Sequence, residues 1–243
     1  MKSKVFSLSI LFSLMLGMSN LFAGCNYLNG LHGNGNVVKE TRPVSSFDAL
    51  DVSGAFDVYI KQGDAEGLVI ETDDNLLPSI KTTVVGHTLK IETKNPIHHV
   101  TVLKAYITVK DLKKIDVSGA VDIQTENRLT VPELSIDASG ASDSKMEIAV
   151  QRLKLDCSGA SKMSFSGTAV NVEMDLSGSS DIFAYDLISE TYSFEISGAG
   201  DAQINVSKSI KASISGAGSV KYKGSPSEID QVVSGAGSIK KVQ

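Results

Sequence analysis

The chain has 243 residues, a net charge of −5 and a hydrophobic share of 42%. That length allows one large or two modest domains, and an acidic chain lacks the basic face that a nucleic-acid partner demands. Two cysteines and no Trp exclude a disulfide framework and a row of indole platforms.

The first two dozen residues read as an export signal and not as part of the fold. Lys2 and Lys4 precede an almost unbroken apolar run, Val5 to Met18, which is too short to span a bilayer comfortably. In "LFAGC", residues 21 to 25, Ala23 and Gly24 are the small residues that precede a lipid-accepting Cys. The expectation is loss of residues 1–24 and lipidation of Cys25. Plain secretion with a cut after Ala23 is the alternative, and it places bulky Leu21 three residues before the cut. Removing residues 1–24 takes away two lysines and no acid, so the net charge moves from −5 to −7. Such a chain does not dock on anionic headgroups through charge, and membrane attachment falls to the lipid. Residues 25–36 are rich in Gly and Asn and read as a lipidated flexible tether.

Residues 37–110 read as an N-terminal β segment. "FDVYIKQG", "GLVIETDD", "HTLKIET" and "AYITVKDL" have strand composition, with turns expected at Gly63-Asp64, Gly86-His87 and Asn95-Pro96. "NLLPSI" reads as a single helical turn or a bend.

A Ser-Gly step recurs at Ser53, Ser118, Ser139, Ser158, Ser177, Ser197, Ser215 and Ser234. After the first gap of 65 residues the intervals are 21, 19, 19, 20, 18 and 19. One residue before each Ser stand Val52, Val117, Ala138, Cys157, Leu176, Ile196, Ile214 and Val233. Three before it the column is also apolar, from Leu50 and Ile115 to Phe194 and Ala212, until Gln231 ends it. Polar residues fill the positions between, which is the period-2 pattern of a strand with one buried face. Glycines in mid-element argue against a helix, and the period is too long for a heptad and too short for a propeller blade.

The fold class expected is therefore all-β: a parallel, β-helix-like solenoid over residues 111–243, capped N-terminally by an antiparallel β segment. Each coil of about 19 residues would have three short sides, and seven stacked copies would make a rod of roughly 29 Å. The small residue two after each Ser, such as Ala120 or Ala160, is expected where the cross-section is narrowest. Cys157 lies in an inward column, so it is expected as a small buried hydrophobe, with no partner for an internal disulfide. Lys240 and Lys241 close the last coil and would discourage edge-to-edge pairing.

At this point the sequence resembles a known family, the bacterial auto-transporter adhesins with a head GIN domain. The resemblance rests on "GNGNVVKETRPVSSFDALDVSGAFDVYIKQGD" at 33–64, "DDNLLPSIKT" at 73–82 and the "SGAG" and "SGAS" copies that follow. It implies a lipid-anchored or secreted β-solenoid of adhesin type, and it supplies no active-site residues.

The most suggestive chemistry is the column two before each Ser: Asp116, Asp137, Asp156, Asp175 and Glu195, with Asp51 matching in the first copy. A second column, four after the Ser, holds Asp122, Asp143, Asp181 and Asp201, interrupted by Lys162. An outward stripe of carboxylates is a candidate cation site, since Ca²⁺ takes several such oxygens. A catalytic pair for glycoside hydrolysis is a further reading. The local reading is an Asx-type turn in which each Asp accepts a nearby N–H. The serines lack a nucleophile elbow and read as turn-capping hydroxyls. His98-His99 lacks a third ligand at metal-site spacing, and "HGNGN" lacks the strand-then-helix setting of a phosphate loop. Tyr185, Tyr192 and Tyr222 are candidates for exposed aromatics, though out of register with one another.

The function expected is a non-enzymatic envelope lipoprotein at the outer membrane, needing no cofactor, that binds an unidentified surface, matrix, glycan or envelope protein. A carbohydrate-active β-helical enzyme and a structural component that self-associates through its C-terminal coil are the alternatives.

Overall fold

The computed structural model describes residues 30–242. The expected export signal (residues 1–24) and the expected lipidation site, Cys25, lie outside the described residues. The N-terminal part contains β1 (Leu31–His32), β2 (Val37–Arg42), β3 (Ala49–Gly54), β4 (Asp57–Gln62) and β5 (Gly67–Asp73). A 3-10 turn (Asp74–Ser79), β6 (Ile80–Val85), β7 (Thr88–Thr93), β8 (Ile97–His99) and β9 (Leu103–Val109) complete it. The coils follow as β10 (Lys114–Gly119), β11 (Asp122–Thr125), β12 (Leu129–Gly140), β13 (Asp143–Gly159), β14 (Lys162–Gly178) and β15 (Asp181–Gly198). The last are β16 (Asp201–Gly216), β17 (Ser219–Gly224), β18 (Glu228–Gly235) and β19 (Ser238–Lys241).

The repeat is the fold. Each Ser-Gly copy pairs in parallel with the copies before and after it, so Ser53, Ser118, Ser139, Ser158, Ser177, Ser197, Ser215 and Ser234 form one column. The strand ending at this Ser is one side of the coil, and the strand after it is a second. A short third side, such as residues 167–169, returns the chain. The columns one and three before the Ser and five after it point inward: Cys157, Leu155 and Met163 are all buried, as are their counterparts in every coil but the last. Each buried aliphatic side chain contributes about 1.5–3 kcal/mol.

The corner explains the invariant Gly. Gly159 has φ +124, and a Cβ on it would run into the carbonyl oxygen of Gly140 in the coil below. That same oxygen accepts the N–H of Ala160 at 2.9 Å, and the pattern repeats at Ala141, Ala199 and Ala217. The Ala column is therefore not the narrow interior that the sequence suggested. Ala120, Ala160 and Ala199 are exposed at the corner, because the left-handed Gly turns the chain outward before it bends back. The next residue points in: Phe56, Val121, Ser142, Ser161, then Gly200 and Gly218.

The N-terminal segment is a cap of mixed direction. Strands β7 and β9 continue the stack below the first Ser-Gly coil, pairing in parallel with β3 and β4. Antiparallel strands then close it, β6 on β7 and β5 on β9, with β2 on β5. Gly86 and His87, with φ 55 and 64, make the tight β6–β7 turn. Residues 31–36, read as tether from their composition, are fastened to this base. The Asp73 carboxylate accepts the N–H of Gly35 at 2.6 Å and both the N–H and hydroxyl of Thr101 at 2.8 and 2.9 Å. Asn34 and Asn36 each donate to Asp74 at 2.6 Å.

Candidate functional site

On the first side, the acid column stands in register as Asp51, Asp116, Asp137, Asp156, Asp175 and Glu195. Its carboxylates face outward and make no Asx turn: among the described residues none accepts a hydrogen bond from a neighbouring N–H. Lysines neutralise the lower part instead. Lys90 lies 2.6 Å from Asp51, and Lys114 lies 2.7 Å from Asp137 and 3.8 Å from Asp116. These hydrogen-bonded carboxylates hold both ammonium groups above the ordinary lysine range. Asp156, Asp175 and Glu195 have no ion-pair partner among the described residues. In the same set, no group of three or more His, Cys, Asp or Glu is arranged to hold a metal ion.

The second acid column is knitted into the stack. Asp122 accepts the N–H of Asp143 at 3.3 Å, and Asp201 accepts the N–H and hydroxyl of Ser219 at 3.0 and 2.6 Å. The Ser column likewise reaches across coils: the Ser139 and Ser177 hydroxyls donate to the carbonyls of Val117 and Cys157, each at 3.3 Å. Cys157 is inert. It is fully buried, its Sγ lies 3.6 Å from the Met163 Sδ, and desolvation pushes its pKa up to about 12.

The second side also carries a groove of ≈ 350 Å³ lined by Asp57, Tyr59, Asp122, Asp143, Lys145 and Lys162, among others. Tyr59 stacks on Tyr106, with ring centroids 5.1 Å apart and planes at 17°. The Tyr106 hydroxyl donates to Glu71 at 2.7 Å, and this bond to a carboxylate raises its pKa to about 12. Lys39 and Lys104 lie over the Tyr106 and Tyr59 rings at 4.7 and 5.5 Å. These tyrosines occupy one column, with Phe183 farther along it, whereas the sequence pointed to others. Tyr192 is buried, Tyr222 packs against the core, and Tyr185 lies under Lys223 at 4.6 Å. The paired spacing of Tyr59 and Tyr106 was hidden because no Ser-Gly step marks the β9 layer. The fold also brings His32 beside His98 and His99, with ring centroids 6.0 and 5.5 Å apart.

Comparison with known proteins agrees with this architecture. A crystal structure of a "putative adhesin" from Bacteroides fragilis superposes with a TM-score of 0.84 at 27% identity, covering 88% of this chain and 100% of that one. A "putative lipid binding protein" from Parabacteroides distasonis gives 0.72 at 25% identity over the same shares, 88% and 100%. A "putative adhesin" from Parabacteroides merdae gives 0.70 at 21% identity, again over 88% and 100%, a likeness of fold. No curated protein matches. The family described as "Putative auto-transporter adhesin, head GIN domain" matches residues 46–226, and the chain belongs to it.

Proposed function

We propose that this chain is a non-enzymatic binding module of the cell envelope, held at the outer membrane by a lipid on Cys25 and presenting its solenoid to a ligand. The observation that carries the reading is the groove on the second side. It is polar, open and bordered by the Tyr59–Tyr106 stack, a combination suited to a glycan or a peptide. The names of the family and of its solved relatives support adhesion. The test is protease treatment of intact cells, with the Cys25→Ala form as control. Shaving of the native protein, with loss of membrane retention in the variant, is the expected result. A fully protected protein would count against a surface adhesin and direct the ligand search to the periplasm.

A second reading uses the same groove. Asp57, Asp122 and Asp143 stand there one coil apart, beside Lys145 and Lys162. A step of about 4.8 Å is close to the separation of a retaining glycosidase pair. Against it, these acids are equivalents in one column, whereas acid–base division needs unlike environments. Release of reducing ends from polysaccharide, abolished by Asp122→Asn, would establish this reading.

A further inference from the structure

The last coil leaves its surface unfinished. Strand β18 is hydrogen-bonded to β16 and β19 to β17, and the opposite edge of each carries no strand among the described residues. Ile229 and Val233, which continue the inward columns, are 42% and 39% exposed, and Val232 beside them is 65% exposed. Apolar side chains along β18, beside the open edges of β18 and β19, make an association surface.

Three observations say what covers it. The edges are oppositely charged: β18 carries Glu228 and Asp230, and β19 carries Lys240 and Lys241. Both carboxylate columns stop short of the tip. The first passes from Glu195 to Ser213 and Val232, and the second from Asp201 to Ser219 and Ser238. A junction at this end therefore brings no stacked acids together. Finally, the inward positions lie symmetrically about the corner at Gly235, with Val233 on one side and Gly237 on the other. A two-fold axis through that corner lays β18 antiparallel on the partner's β19, twice over. Asp230 then stands opposite the partner's Lys240. The other two-fold arrangements set acid against acid or lysine against lysine, so the lysines that repel a second β19 select this one.

We propose that the C-terminal coil docks tip to tip on a second copy of this chain. The two N-terminal bases then point away from each other, so the contact joins two surfaces and not neighbours on one; that sense rests on the envelope reading above, and the dimer itself does not. The test is sedimentation equilibrium of the full chain carrying Cys25→Ala, from about 1 μM to about 1 mM. The expected result is a reversible dimer whose maximal dimension in small-angle scattering roughly doubles. Asp230→Lys and Lys240→Asp should each weaken it about tenfold, and the double swap should restore it to within about threefold. A chain monomeric throughout, a dimer of unchanged length, or charge variants whose losses add without recovery would overturn the proposal. Because the protein tested carries no lipid, a failure here leaves the protease result untouched, and the reverse.

Discussion

The Tyr192 ring lies parallel to the Phe194 ring, with centroids 5.4 Å apart and planes 2° from coincidence. Both face inward on the first side of one coil, where the columns above and below supply aliphatic neighbours. The stack is apolar, yet it encloses the Tyr192 hydroxyl, which has no hydrogen-bond partner. Desolvation raises its pKa far above the ordinary tyrosine value. Tyr192→Phe keeps the ring and removes the unsatisfied oxygen, so it should stabilise the protein by about 1 kcal/mol. Thermal unfolding would show a melting temperature higher by a few degrees, about 2–4 °C. A decrease would mean that the hydroxyl has a partner.

Acid should loosen the N-terminal base first. The Thr101 N–H bonded to the Asp73 carboxylate, helped by the Thr101 hydroxyl and the Gly35 N–H, holds its pKa below the ordinary 3.8. A lowered folded-state pKa contributes stability that is fully present above 3.8 and is lost as pH falls through the folded value. The melting temperature of the native chain should therefore fall below about pH 4. Asp73→Asn should lower it at neutral pH and flatten that acid limb, because the amide cannot accept three hydrogen bonds with the same two oxygens. Parallel pH profiles for the two proteins would disprove the assignment.

Adjacent residues at one corner should respond in opposite ways. Gly159→Ala forces a side chain into a left-handed backbone and against the carbonyl of Gly140. It should cost at least about 2 kcal/mol. Ala160→Lys, one residue on, places its side chain in solvent and should change stability by less than about 0.5 kcal/mol. Chemical denaturation of the two variants measures both. Equal losses would show that the alanines are packed after all.

The unpartnered upper part of the acid column should respond to salt. Asp156 and Asp175 are neighbours in register, and their repulsion in water is under about 1 kcal/mol. Asp156→Asn with Asp175→Asn should raise the melting temperature at low ionic strength, and the gain should vanish as salt screens the native pair. Millimolar Ca²⁺ is the second axis of the same experiment. A Ca²⁺-dependent rise in the native protein that the double variant lacks would assign the column to cation binding, and identical responses would leave it a solvated face.

The coil was legible in the sequence because one chemical signal repeats at one spacing. Val117, Cys157 and Leu176 alternate with polar residues, and each is buried where that alternation places it. What escaped was whatever lacked the Ser-Gly marker. Thr88–Ile91 stacks beneath Ala49–Val52 as a further layer, yet nothing in "HTLKIET" resembles a repeat copy. The corner was misjudged by one position, since a small residue fits equally well in a narrow interior and at a tight exposed bend. The bulky Phe56 and Val121 at the next position of the first two copies were the available clue. Tyr192, a candidate exposed aromatic in the sequence, is buried with its hydroxyl unpartnered, because it falls in the inward column that holds Val172 and Ile210 in the neighbouring coils. Of the candidate site, the acid columns could be read directly, because register follows from spacing. The groove could not, since Tyr106 reaches Tyr59 only through the unmarked layer.

The corner at each Gly has a consequence for how such a molecule changes length. Every coil enters and leaves through the same backbone geometry, so one coil is interchangeable with another at both junctions. Gain or loss of a whole coil, here 18 to 21 residues between successive serines, keeps every inward column, because the one- to three-residue differences are taken up at local register shifts such as Ala184/Ile188. A one-residue slip of a whole strand would instead turn its inward side chains out. Duplicating a coil would carry the C-terminal tip about 4.8 Å farther from the base and leave the sequences of both ends untouched. The distance from base to tip is thus adjustable by recombination alone, independently of what either end does.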